Sequence, residues 1–361
     1  MARANRSRPS QRPRDRRSEE PFAQGGRAMR FKRGGSSFIV GVLAAAAFFA
    51  IGTAVQAGEV TLRLGTSQPD KGGFLGDTPK VFAEEVEKLT KGQVKVKVFY
   101  AGSLSANERE LFEMAQSGAV DVGIGATTYI LGWTPKAKIF DLPYLFQGVP
   151  HFKKVVQGKV GEVIAKEVED DGVVLLSYIL PGVRSIFNTK RPIEKLEDAK
   201  GMKIRSMQSP VYVDMFKNMG MLPTPLPASE LYTALQTGVV DAGENDAASV
   251  VSWGWVDVIK YYSINEHSIS CNVMLMNKKK LDSFSPEIQK AIREAGKKAE
   301  AYQLDYIQKA LADNLEKIKA KGVKVNVITN REPFQEAVKD IVAKYESEIG
   351  KDLIQAVRDA K

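Results

Sequence analysis

GVRSIFNTKRPIEKLEDAKGMKIRSMQSPVYVDMFKNMGMLPTPLPASELYTALQTGVVDAGENDA, residues 182–247, is the stretch on which the fold turns. Its second half repeats an earlier part of the chain. LFEMAQSGAVDVG at 111–123 sets under LYTALQTGVVDAG at 231–243 without a gap. Leu, Gln, Gly, Val, Asp and Gly recur in place, Phe112 faces Tyr232, and Ser117 faces Thr237. One supersecondary unit used twice predicts two similar lobes. The competing account is coincidence between two ordinary helix–Gly–strand units.

Outward from the repeat the period alternates between strand and helix. Residues 59–65 and 94–100 read as strands, with a helix over 78–90 between them. Asn107 opens a helix through Ser117, with Glu110 placed for a capping box and Gly118 as the stop. Residues 119–125 form a third strand, so the first lobe reads as parallel α/β. A Pro-broken apolar segment at 139–146, a helix over 151–170 and a strand over 173–179 follow. The pattern then restarts: strand 202–207, helix 210–218, a rigid proline connector at 223–227, a helix capped by Ser229 and ending at Gly238, and strand 239–243. Residues 244–255 read as helical, and strand 267–276 returns to the first lobe. Ser285-Pro286-Glu287 is a strong helix start. The helix runs to about Lys321, roughly 50 Å at 1.5 Å per residue, long enough to lie across both lobes. Strand 323–328 and a helical 332–360 end the chain.

Residues 1–57 stand apart. Met29-Arg-Phe-Lys-Arg, an apolar run from Phe38 to Val55, and Val55-Gln56-Ala57 read as a signal peptide cleaved after Ala57. The true start is either Met1 or Met29. This leader carries 11 basic and 3 acidic residues, a surplus of 8 within the chain's +9. The remaining 41 basic and 40 acidic residues leave +1, so the charge gives no reason to expect nucleic acid. Cys271 is the single cysteine, and the two histidines are far apart in sequence. Neither disulfides, a His-rich metal site nor His-based catalysis is expected, and no cofactor motif is present.

Ligands of open α/β sheets sit beyond the carboxyl ends of the strands. That rule selects Ser67 and Gln68, then Thr127, Thr128 and Tyr129, in the first lobe, and Arg205, Met207, Gln208, Glu244 and Asn245 in the second. Arg205 is the prime candidate, because a guanidinium fork matches a carboxylate in two parallel hydrogen bonds. Arg184 is either a second clamp or the partner of a nearby acid. Asn245 either meets a ligand or caps the next helix. Glu244 orients Arg205 or accepts from ligand hydroxyls. Trp253 and Trp255 read as core or lobe-interface residues.

At these residues the chain resembles the DctP-type solute-binding proteins of tripartite ATP-independent periplasmic (TRAP) transporters. The motifs are Asp141-Leu-Pro-Tyr-Leu-Phe146, Asn188-Thr-Lys-Arg-Pro-Ile193, Lys200-Gly-Met-Lys-Ile-Arg205, Pro223-Thr-Pro225 and the run from Ser229 to Asp241 with Glu244-Asn245. The resemblance implies a two-lobed, periplasmic-binding-protein-like α/β fold with a central cleft, crossing strands and a long C-terminal helix over both lobes. Residues 58–181 with 271–310 would form lobe I, and 182–270 with 311–361 lobe II. It places the carboxylate-binding arginine on Arg205, a second basic ligand on Arg184 and the family asparagine on Asn245. It also implies a monomeric periplasmic receptor, not an enzyme. That receptor would take a small organic acid (a four-carbon dicarboxylate, a sugar acid, or a hydroxy or keto acid) and hand it to the small and large permease subunits. The rivals are a receptor feeding a sensor kinase and an enzyme on the same fold. Two departures from the family pattern, Asp246 where proline is frequent and Ala228 where some members carry an aromatic, leave more room at the second lobe.

Overall fold

The structure is a computed structural model that describes residues 59–70 and 74–360. The leader, the signal peptide and the cleavage after Ala57 lie outside the described residues. Nine strands form one mixed sheet among the described residues. They are β1 (Val60–Thr66), β2 (Val94–Phe99), β3 (Val122–Ala126), β4 (Val173–Asn188), β5 (Lys203–Ser206), β6 (Leu222–Pro225), β7 (Ala242–Asn245), β8 (Tyr261–Asn277) and β9 (Lys324–Val327). The order is β2-β1-β3-β8-β4-β7-β5-β6, with β9 added to β8.

That order is a palindrome of two similar halves. In one, β1 lies parallel between β2 and β3, and β3 meets β8 antiparallel. In the other, β5 lies parallel between β6 and β7, and β7 meets β4 antiparallel. The repeat 111–123/231–243 occupies equivalent places. Its helices, Glu108–Ser117 and Ala228–Gln236, are followed by Gly118 (φ 84°) and Gly238 (φ 74°), left-handed positions that suit residues without a Cβ. Asp121 then bonds the backbone of Arg63, and Asp241 that of Lys203, through both main chain and carboxylate. This pairing equates Gly65 with Arg205. A Cβ on Gly65 would stand 2.6 Å from the Leu111 side chain, so the first lobe has no room for the group its twin carries.

β4 and β8 are far longer than the rest, 16 and 17 residues, and run antiparallel through both halves. The sequence breaks β4 at Pro181; the structure carries it on to Asn188 through register shifts. β7 pairs with β4 only from Ser185 on, so the earlier β4 donors that face away from β8 need other partners. Tyr178 N–H donates to Glu300 Oε2 (3.1 Å) and Leu180 N–H to Gln303 Oε1 (3.0 Å). Both acceptors belong to the 35-residue helix Pro286–Ala320. Ser285 caps that helix by accepting from Ile288 N–H. The helix packs on Phe74–Leu89 and β4 in one half and on Ala247–Ser252 and β9 in the other, so it does span both lobes. Gly296 lets it press on β4, since a Cβ there would lie 2.4 Å from the Leu176 carbonyl oxygen.

Four local expectations are corrected. Residues 223–227 are not a connector, because Leu222–Pro225 pairs in parallel with β5 as an edge strand. An edge tolerates proline because the missing N–H faces away from the ladder. Ser229 is not the helix cap, which falls at Pro227; its hydroxyl instead donates to the Ala106 carbonyl (3.4 Å). No capping box forms at Asn107, because Glu110 accepts from Ser105 Oγ while Asn107 accepts from Arg109 N–H. The helix expected over 151–170 breaks into Val149–Val156 and Lys159–Asp170 around Gly158.

Candidate functional site

The carboxyl ends of β1, β3, β5 and β7 converge on a cleft of about 410 Å³, its open mouth included. Gln68, Glu108 and Tyr129 come from the first lobe, and Arg205, Asn245 and Trp253 from the second. Arg184 and Asn272 stand on the crossing strands between them.

Two arginines are buried here, and they are used differently. Arg184 donates from Nε and Nη2 to Glu244 Oε2 (2.5 Å) and Oε1 (2.6 Å). Its Nη1 donates to Asn245 Oδ1 (2.8 Å) and Ser270 Oγ (3.0 Å), and its guanidinium lies 5.6 Å over the Tyr212 ring. All of its geometry is spent on protein. Burial opposes the Arg184 charge, but Glu244 more than offsets this and holds the group above its ordinary value. For Glu244 burial pushes upward, yet Arg184 and His267 bring the carboxyl down to about 2. His267 lies behind it, Nε2 3.4 Å from Glu244 Oε2, and burial keeps the imidazole below its usual value.

Arg205 is 2% exposed and donates from Nε to the Leu226 carbonyl at 2.7 Å. Its Nη1 is 3.8 Å from Glu244 Oε1, outside hydrogen-bond reach. Neither terminal nitrogen donates to a described residue. Burial drives this guanidinium below its ordinary value, and the nearby Glu244 and Glu108 carboxyls only partly offset this. With Glu244 neutralising Arg184, the second-lobe wall keeps a positive surplus that suits an anion.

The first-lobe wall is different. Glu108 accepts from Ser67 Oγ, in a short contact, and from Ala126 N–H (2.8 Å), and burial pushes its carboxyl upward. Tyr129 is buried beside it, pushed by burial up to about 12. Gln68 Oε1 accepts from Trp253 Nε1–H across the cleft at 3.0 Å.

Of the residues selected from sequence, Arg205, Arg184, Asn245, Gln68, Tyr129 and Met207 line the cleft. Five do not. Glu244 stands behind the wall and orients Arg184 rather than Arg205. Thr127 and Thr128 turn into the core, their hydroxyls donating to the Cys271 carbonyl (3.1 Å) and to Asp141 Oδ1 (3.1 Å). Ser67 is held by Glu108 and faces an adjoining space. Gln208 is half-buried outside the cleft, because Ser209 already starts the helix Pro210–Asn218. Asp246, not Asn245, caps the helix Ala247–Ser252. Glu108 and Asn272 were not selected. Glu108 looks like any first-turn acid, and nothing in the local sequence aims it at a cleft.

A two-lobed shell with a buried, uncommitted guanidinium at the interlobe cleft defines a solute receptor. The family model of the bacterial extracellular solute-binding proteins, family 7 (DctP), matches residues 65–348. The 2,3-diketo-L-gulonate-binding periplasmic protein YiaO of Escherichia coli K12 is 31% identical over 330 residues, 90% of this chain and 97% of that one. A TRAP periplasmic solute-binding protein of Polaromonas sp. JS666, solved with D-erythronate, matches at TM-score 0.81 and 32% identity, covering 84% of this chain and 99% of that one. One from Roseobacter denitrificans, solved with β-D-glucuronate, matches at TM-score 0.79 and 29% identity, covering 83% and 100%. The chain belongs to the family 7 extracellular solute-binding proteins, which are transport receptors and not enzymes.

Proposed function

We propose that this chain is the periplasmic receptor of a TRAP transporter and captures a small hydroxylated organic acid through an Arg205–carboxylate pair. The carrying observation is the state of Arg205: buried, fixed by one bond to Leu226, and with both terminal nitrogens uncommitted among the described residues. Ligand-driven closure requires tighter binding to the closed form than to the open one. Charge-assisted bonds worth about 1.5–3 kcal/mol each supply that difference when made only between closed lobes. The first-lobe wall favours hydroxyls over a second carboxylate, because Glu108 puts a carboxyl group there. The relatives solved with erythronate and glucuronate hold acids of this kind. The loaded receptor then delivers its acid to the small and large permease subunits.

A thermal-shift screen of sugar acids, hydroxy acids and four-carbon dicarboxylates tests the reading. A ligand at 100 times its Kd stabilises the fold by about 2.7 kcal/mol. Sugar or hydroxy acids should raise the melting temperature and dicarboxylates should not. A screen in which no acid shifts it, or in which dicarboxylates alone do, would contradict the proposal.

A further inference from the structure

Beyond the Gln68–Trp253 hydrogen bond lies a second space of about 610 Å³, its open mouth included. Ser67, Pro69, Gly102, Ala106, Ser229 and Ser252 line it, and Trp253 lines both spaces. The 3.0 Å bond between Trp253 Nε1 and Gln68 Oε1 is therefore a bar between an inner and an outer chamber. A second interlobe bond, Ser229 Oγ to the Ala106 carbonyl, brackets the outer one.

The two ends of the bar differ in freedom. Trp253 stacks on Trp255 (centroids 5.6 Å, planes 11° apart), and Trp255, fully buried, stacks on Phe187 at 5.7 Å. The indole is a fixed post. Gln68 has a pinned backbone, its N–H on Thr66 Oγ1 (3.2 Å) and its carbonyl taking the Ala101 N–H (2.9 Å). Its side chain bonds no described residue other than Trp253 and turns without disturbing the lobe. Among the described residues, no charged side chain lines the outer chamber, which offers three serine hydroxyls and an indole edge. That lining suits neutral hydroxyl groups better than a second carboxylate.

Building on the acid-receptor reading, we propose that Gln68 is a length gate. With the bar in place, the inner chamber holds a short hydroxy acid whose carboxylate meets Arg205. A longer acid must displace Gln68 from Trp253 so that its neutral polyol tail enters the outer chamber, and it forfeits the interlobe bond.

D-Erythronate and D-gluconate, four- and six-carbon linear sugar acids, test this by calorimetry on the mature chain. The quantity read is the ratio of their dissociation constants. Gln68→Ala should shift that ratio toward gluconate by about fivefold or more, the scale of one lost hydrogen bond. Trp253→Phe, which keeps the ring and removes the donor, should shift it the same way. If both acids bind but neither variant moves the ratio by about fivefold, the gate is refuted while the acid reading stands. If neither acid binds the wild-type chain, the acid reading falls and the gate with it.

Discussion

Arg184 and Glu244 are joined by two hydrogen bonds, at 2.5 and 2.6 Å, with neither side chain more than 4% exposed. One of the two buried arginines is thereby fixed as structure and the other left for a ligand. Removing one partner of such a pair strands an uncompensated buried charge, typically at a cost of about 3–5 kcal/mol. Glu244→Gln should therefore lower the urea midpoint strongly without changing the slope. An unchanged midpoint would show that the pair is not the anchor described.

Acid should attack the same cluster. Glu244 sits at about 2 in the fold, below its ordinary 4.5, so its contribution is present above 4.5 and lost as pH falls from there toward 2. His267, held below its usual 6.5 by burial, also costs stability as pH drops beneath that value. Chemical unfolding from pH 7 to 3 should show stability falling throughout, with the portion below 4.5 flattened in Glu244→Gln. A wild-type profile flat over that range would contradict the assignment.

Asp141 has the opposite sign. Its Oδ1 accepts from Thr128 Oγ1 (3.1 Å) while Oδ2 is buried without a hydrogen-bond partner among the described residues. Burial raises the carboxyl from 3.8 to about 7 despite hydroxyl contacts. A group raised in the fold destabilises once pH climbs past its ordinary value, and the full cost is reached above the raised one. Asp141→Asn should stabilise the chain at pH 8, by an amount on the order of a few kcal/mol, and have little effect at pH 3.5. Equal effects at both pH values would refute it.

Gly296→Val tests the seat of the long helix. The new Cβ would fall within 2.4 Å of the Leu176 carbonyl, which belongs to a crossing strand and cannot yield cheaply. Overpacking of this kind costs about 1–3 kcal/mol. The thermal midpoint should drop, whereas Gly132→Ala, at a turn with open space around it and no left-handed backbone, should lose less.

The twin lobes were legible because the repeat at 111–123 and 231–243 carries its own instructions: periodic Leu, a left-handed glycine, and an aspartate that ties strand to strand. The long helix was legible from Ser285-Pro286, and Arg205 from its place at a strand's carboxyl end. The unity of β4 was not, because Pro181 and Gly182 look like a stop, and the acceptors that steady the strand just before them, Glu300 and Gln303, lie 122 and 123 residues downstream of their donors. Glu108 escaped for a similar reason. Its role depends on which lobe faces it, and no local pattern encodes that. The sequence leaves Glu244 either to orient Arg205 or to accept from ligand hydroxyls, since proximity along the chain does not reveal that Arg184, 60 residues earlier, reaches both carboxylate oxygens first.

The most direct test is calorimetric titration of the wild-type chain and Arg205→Ala with the acid that binds tightest in the screen. The terminal nitrogens of Arg205 should provide most of the carboxylate's affinity, so the variant should keep its fold and bind at least about tenfold more weakly, the equivalent of about 1.4 kcal/mol. A folded Arg205→Ala chain that binds the acid with undiminished affinity would contradict the account.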